Sequence, residues 1–153
     1  MNKIAATFCT LFFLAGCSTG YNTKPTQHTH TQVEETVTTI AFDKAVGDRV
    51  FFAYDSSELS QHAKTELEKQ IAWLNNHHKT KIMIEGHCDE RGTREYNLAL
   101  GERRAEAVKK FMHHHGVELH RINTVSYGNE RPAIVGNTEK EYKQNRRSVT
   151  IVE

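Results

Sequence analysis

The sequence predicts an α/β domain, an α+β sandwich in which two main helices cover one face of a four-stranded mixed sheet in the order βαβαββ. Three observations carry this reading. Apolar residues recur at steps of three and four over 60–77 and again over 94–115, which marks two helices with one buried stripe each. Short apolar runs at 50–54, 81–86 and 122–127, and an alternating run at 147–152, have the length and side-chain content of strands. Helices with a single stripe bury it against one sheet face, so both belong on the same side.

The chain begins with a segment that is not part of this domain. Met1-Asn2-Lys3 supplies a positive start, residues 4–14 an apolar stretch, and Leu14-Ala15-Gly16-Cys17 a small-residue end. The stretch is too short for a lasting membrane helix. Its last four residues resemble the lipobox of bacterial lipoproteins, which implies cleavage after residue 16 and acylation of Cys17. Cys9 then leaves with residues 1–16, and Cys88 stays without a disulfide partner in the mature chain. The whole chain carries 20 basic and 19 acidic residues, and cleavage removes Lys3. That balance argues against a nucleic-acid partner or a polybasic membrane footprint, leaving acyl chains to do the anchoring.

Residues 17–43 are expected to form the lipidated cysteine and a disordered tether, rich in Thr, Gln, His and Ser. Such a coil spans roughly 30 Å when relaxed and at most about 90 Å drawn out. Residues 44–153 suit one domain. A strand over 50–54 ends at the turn chemistry of Asp55-Ser56-Ser57. The first helix buries Ala63, Leu67, Ile71 and Leu74. A second strand, 81–86, feeds the loop Gly86-His87-Cys88-Asp89-Glu90-Arg91-Gly92-Thr93. Thr93 is the expected N-cap of the second helix, and Gly116 its left-handed stop. A third strand at 122–127 breaks at Gly128-Asn129-Glu130-Arg131-Pro132. A helical turn near 139–144 then leads to the last strand. The first two strands, joined through a helix, are expected to be parallel with a right-handed crossover.

Two residues violate the pattern of the second helix: Asn97 and Arg104 fall in the middle of its apolar arc. A guanidinium keeps its charge, so there it needs an anionic partner or an opening to water. Asp89 is the nearest candidate along the chain. Ligands of open α/β sheets collect beyond the carboxyl ends of strands. If the first two strands are neighbours, Asp55 and Asp89 open onto one edge, together with the amino end of the second helix. Such a pocket offers carboxylates to a cation and a guanidinium to an anion, the two poles of an amino-acid head group. From these residues alone, a ligand pair and an internal Asp89–Arg104 ion pair are equally supported.

Rival chemistry is weaker. The ten histidines suggest metal handling, but His77-His78 and His113-His114-His115 sit at helix ends and point apart around the helix, while His87-Cys88 lacks a second ligand pair. No metal or other cofactor is expected. Cys88 as a nucleophile lacks an aligned base. An acid–base hydrolase built on Asp55 and Asp89 lacks any sign of a raised pKa beside an arginine. No enzyme is expected.

The loop 86–93, followed by Tyr96-Asn97-Leu98, Arg103-Arg104-Ala105 and Val108, resembles the OmpA C-terminal-like, peptidoglycan-binding domain family. Val125-Ser126-Tyr127-Gly128, Pro132 and Asn145-Arg146-Arg147 fit the same pattern. Behind a lipobox and a polar tether, Phe51-Phe52-Ala53-Tyr54-Asp55 and Leu100-Gly101-Glu102-Arg103-Arg104-Ala105 look like the lipid-anchored branch of the family that works in the Tol–Pal system. This resemblance implies a tether of the outer membrane to the cell wall, active in envelope integrity and cell division. It implies that Asp89 holds the ammonium and Arg104 the carboxylate of the stem-peptide diaminopimelate. Asp55, Thr93 and Asn97 match other pocket positions, and Arg147 is expected at the rim. It also implies TolB as a partner, and Ser18 after the lipidated cysteine implies the outer membrane. A lipoprotein of the same fold outside the Tol system is the alternative. Cys88 departs from the family, which usually has Thr or Ala there.

Overall fold

A computed structural model describes residues 42–153 of the chain. The expected signal segment 1–16, the lipidation site Cys17 and the tether through residue 41 lie outside the described residues. The tether boundary drawn at residue 43 is corrected by Phe42. That side chain is fully buried and meets Trp73 edge-on, with ring centroids 5.0 Å apart. A lone aromatic at the end of a polar stretch gives no periodicity, so only its partner across the fold assigns it to the core.

Strand β1 (Arg49–Phe51) is shorter than the apolar run that predicts it. Helix α1 (Gln61–Asn76) starts at Ser60, whose hydroxyl accepts from the Ala63 N–H at 3.1 Å. Its carboxyl end is closed by a residue from another element. Arg121 donates to the carbonyls of Leu74, His77 and Thr80 at 2.8–3.1 Å, tying the helix end to the segment that follows it. Strand β2 (Ile82–His87) leads through the loop to helix α2 (Arg94–His114), with Thr93 as N-cap and Gly116 at φ 99° beyond its end. Strand β3 (Ile122–Gly128), the short helix α3 (Glu139–Asn145) and strand β4 (Arg147–Val152) complete the order βαβαββ, with α3 a minor element before β4.

The sheet order is β1-β4-β2-β3, mixed, with β2 parallel to β3 and β4 antiparallel to both neighbours. β1 and β2 therefore run the same way without touching, because β4 lies between them. The expected parallel direction of the two strands holds, while the condition that they be neighbours does not. The last strand overturns it because it is buried on both faces, while Arg147, Ser148 and Thr150 disguise it as an edge. Its polar groups are used: Thr150 donates to the Gln70 side chain at 2.9 Å, and Gln70 donates to the Gly47 carbonyl at 3.0 Å.

Ile82 and Ile84 meet Leu67, Leu74, Ala105, Val108 and Met112 in one apolar cluster, so both main helices share one sheet face. Close approach of α2 is built into two glycines. Gly86 of β2 faces Gly101 of α2, and a Cβ on Gly101 would lie 2.9 Å from the Gly86 carbonyl oxygen.

Candidate functional site

Loop 88–92, the turn after β1, the first turns of α2 and the start of β4 meet at one end of the sheet. They enclose a cavity of about 90 Å³, lined among others by Tyr54, Asp55, Asp89, Arg91, Asn97, Arg104 and Arg146. Asp55 and Asp89 do reach the same edge even though their strands are not neighbours, because β1 and β2 point the same way. Asp55 holds its turn at φ 51°, and its carboxylate accepts from the Tyr96 hydroxyl.

Arg104 is completely buried, as its place on the apolar arc requires. Its anionic partner is not Asp89. The guanidinium donates to three main-chain carbonyls, those of Ser56 at 2.8 Å, His87 at 2.7 Å and Ala53 at 3.1 Å. It also donates to the Cys88 sulfur at 3.4 Å. No carboxylate lies within salt-bridge distance of it among the described residues. Burial lowers its pKa, and the nearby Asp89 and Asp55 carboxylates pull it back; the group stays charged. Four of its five N–H groups are engaged, which leaves one on Nη2.

Asp89 is gripped by two other arginines. Arg91 binds it through Nη2 at 2.6 Å, Nε at 3.2 Å and its backbone N–H at 3.2 Å, and Arg146 through Nη1 at 3.1 Å. Burial pushes the Asp89 carboxyl up, but these bonds outweigh it and the net shift is downward. Arg146 is fixed in turn by the Phe52 carbonyl at 3.1 Å and Glu139 at 2.7 Å. The lining thus holds three arginines against two aspartates, a net positive charge around a small cavity.

The remaining expected residues divide. Asn97 lines the cavity and donates from Nδ2 to the Arg91 carbonyl at 3.1 Å, so it shapes the loop as well as the wall. Thr93 does not line the cavity; its hydroxyl accepts from the Tyr96 N–H as helix cap. Arg147 does not reach it either. Its side chain points to the opposite sheet face and donates to the Asn145 and Arg131 carbonyls at 3.4 and 3.2 Å. Arg146, its neighbour, takes the place expected of it, because consecutive residues entering a strand face opposite ways. Sequence reasoning also missed Tyr54, Arg91 and Tyr96. Tyr54 and Tyr96 come to the Asp89 loop only in the folded chain, Tyr54 under the Arg91 guanidinium and Tyr96 against Asp55, so residue order carried no signal for them.

Two histidines of the runs pack on aromatic neighbours one helical turn before them. His77 stacks on Trp73 at 3.6 Å and His115 on Phe111 at 4.1 Å, each with its Nδ1 at the carbonyl of that residue. Among the described residues no group of three or more His, Cys, Asp or Glu side chains could hold a metal.

The OmpA family model matches residues 51–146, from the last residue of β1 through Arg146. The chain belongs to the OmpA family. Curated relatives share about half of its residues over the domain. A peptidoglycan-associated lipoprotein of Brucella melitensis is 51% identical over 111 residues, covering 72% of this chain and 66% of that protein. One from Mesorhizobium japonicum is 50% identical over 109 residues, covering 71% and 65%. The chain thus matches about two thirds of the length of these relatives. The crystal structure of the peptidoglycan-associated lipoprotein from Burkholderia pseudomallei superposes with a TM-score of 0.67 at 38% identity, over 69% of this chain and 90% of that one. The C-terminal domain of Helicobacter pylori MotB, at TM-score 0.65 and 19% identity, shares the fold.

Proposed function

We propose that this OmpA-family protein is a lipoprotein of the outer membrane whose periplasmic domain binds peptidoglycan non-covalently and tethers the membrane to the wall. The carrying observation is Arg104: a permanent cation, wholly buried, beside a cavity and without a carboxylate in contact. Its remaining N–H and the net positive lining favour a carboxylate entering the cavity. The Asp89 carboxylate, a few residues along the wall, suits the ammonium of the same head group. Diaminopimelate of the stem peptide carries both poles. Each charge-assisted bond contributes about 1.5–3 kcal/mol, so loss of either pole weakens binding at least about tenfold. The relatives named peptidoglycan-associated lipoprotein support the ligand class. No step of bond cleavage follows from this arrangement, so the activity proposed is binding alone.

The test is co-sedimentation with purified sacculi. Arg104→Ala is a poor probe, because it strips donors from three carbonyls that the fold depends on. Asp89→Asn keeps the side chain's size while removing its charge, and Arg104→Lys keeps the charge while removing the planar fork; thermal unfolding of each variant checks that the fold persists. Both should leave a far smaller bound fraction than the unmodified protein. Undiminished sedimentation of both would refute the assignment. We further propose TolB as a protein partner within the Tol–Pal system, serving envelope integrity and cell division. Pull-down of TolB by the protein tests this, and failure would favour a lipoprotein of the same fold outside that system.

A further inference from the structure

We propose that Arg91 is a built-in competitor of the ligand, an internal cation that occupies the Asp89 acceptor until a ligand ammonium displaces it. The inference rests on the proposed diaminopimelate site and concerns which cation the Asp89 carboxylate holds. Asp89 is nearly sealed, and both of its oxygens are already doubly engaged. Oδ1 accepts from the Arg91 backbone N–H and Nε, and Oδ2 from Arg91 Nη2 and Arg146 Nη1. A carboxylate has about four acceptor positions. An incoming ammonium therefore gains a full bond only if one guanidinium leaves.

Mobility decides which one. The Arg146 side chain is 4% exposed and clamped by the Phe52 carbonyl and Glu139. The Arg91 side chain is 33% exposed. Its guanidinium lies between the rings of Tyr54 and Tyr142, 4.0 and 4.4 Å from their centroids. A second anion waits beside it, since Glu139 Oε2 is 3.6 Å from Arg91 Nη2. A short slide between the two tyrosine faces carries Arg91 from Asp89 to Glu139 without exposing it to a worse environment. The loop itself need not move, because Tyr142 donates to Glu90 at 2.9 Å and Asn97 holds the Arg91 carbonyl.

Two consequences follow. Asp89 is paired with a guanidinium throughout the exchange, so it is never an unpaired buried carboxylate. The displaced ion pair also sets a threshold: a ligand lacking a well-placed cation cannot remove Arg91, and this selects for a diamino acid over a neutral analogue.

The experiment is titration calorimetry of the protein with two probes, L-Ala-γ-D-Glu-meso-diaminopimelate and the same tripeptide acetylated on its free side-chain amine. Arg91→Met keeps the stem between the tyrosines and removes the charge; Arg91→Lys keeps a charge without the planar fork. Arg91→Met should bind the diamino peptide roughly three- to tenfold tighter than the unmodified protein, the range expected for one partly solvated ion pair. Arg91→Lys should fall between them, and the acetylated peptide should gain nothing from either change. In the unmodified protein, the Arg91 Nε–H resonance should leave its Asp89-bound position as the diamino peptide saturates. Equal or weaker binding by Arg91→Met, with unmodified protein still binding, overturns the competitor role and leaves the pocket assignment standing. No binding of the diamino peptide by unmodified protein overturns the pocket assignment and the competitor together.

Discussion

Replacing Gly86 by alanine should separate α2 from the sheet. A Cβ on Gly86 would stand 3.1 Å from Cα of Gly101 and overlap the Gly101 carbonyl oxygen outright. Ordinary carbon contacts are about 3.5–4.0 Å, so the helix must retreat by roughly an ångström or more. Both sides of the contact are backbone, and no rotamer change relieves it. Overpacking a core typically costs about 1–3 kcal/mol when side chains can yield. Here the retreat also strains the Ser126 hydroxyl bond to the Leu98 carbonyl, now 2.7 Å, so the loss should reach about 3–4 kcal/mol. Against a total stability of about 5–15 kcal/mol for such a domain, this is severe. Urea unfolding followed by the fluorescence of Trp73, the sole tryptophan of the sequence, measures it directly. Because α2 carries Tyr96, Asn97 and Arg104, sacculus binding should fall in the same variant. A loss below about 1 kcal/mol would refute the account of the glycine contact.

Further expectations concern His87, Cys88 and Asn145. Burial first, then the charges of Arg147 and Arg131, push the His87 pKa down to about 4 from its ordinary 6.5. The unfolded chain therefore takes up a proton that the native state refuses, and stability should decline as pH falls from about 6.5 towards 4. His87→Gln should flatten that part of the stability–pH curve, and an unchanged slope would count against the buried neutral ring. Burial raises the Cys88 thiol, which lies 3.3 Å from the Asn97 carbonyl as its donor. Native protein at pH 7.5 should react with iodoacetamide at least about tenfold slower than protein in urea; equal rates would contradict a buried thiol. Asn145 holds the loop after β3, accepting from the Ala133 and Ile134 N–H groups at 2.8 and 3.1 Å and donating to the Ile134 carbonyl at 2.8 Å. Asn145→Ala should cost about 2 kcal/mol and open this loop to limited proteolysis, with cleavage near residue 134 as the readout.

Much of this arrangement was legible in the chain itself. Short apolar runs, the alternation at 147–152 and the helical period placed every strand and both main helices to within a few residues, and Thr93 and Gly116 marked the limits of α2. Arg104 was visible as an anomaly because a charge within an apolar stripe is expensive wherever the stripe is buried. Its surroundings were not visible. The carbonyls of Ala53 and Ser56 come from a turn about fifty residues away, and main-chain groups leave no trace in residue identity. Asp89 was drawn to Arg104 by chain order, whereas Arg91 and Arg146 hold it.

What the sequence alone determined is which segments bury an apolar face, because periodicity and caps act over a few residues. What the tertiary structure decided is which strands are neighbours and which charges meet. β4 enters the centre of the sheet from the far end of the chain, and the entry into it sends Arg146 to the cavity and Arg147 to the other face. Those choices depend on long-range pairing and on the single-residue alternation of strand entry, and a one-residue difference there reverses which side chain reaches the cavity.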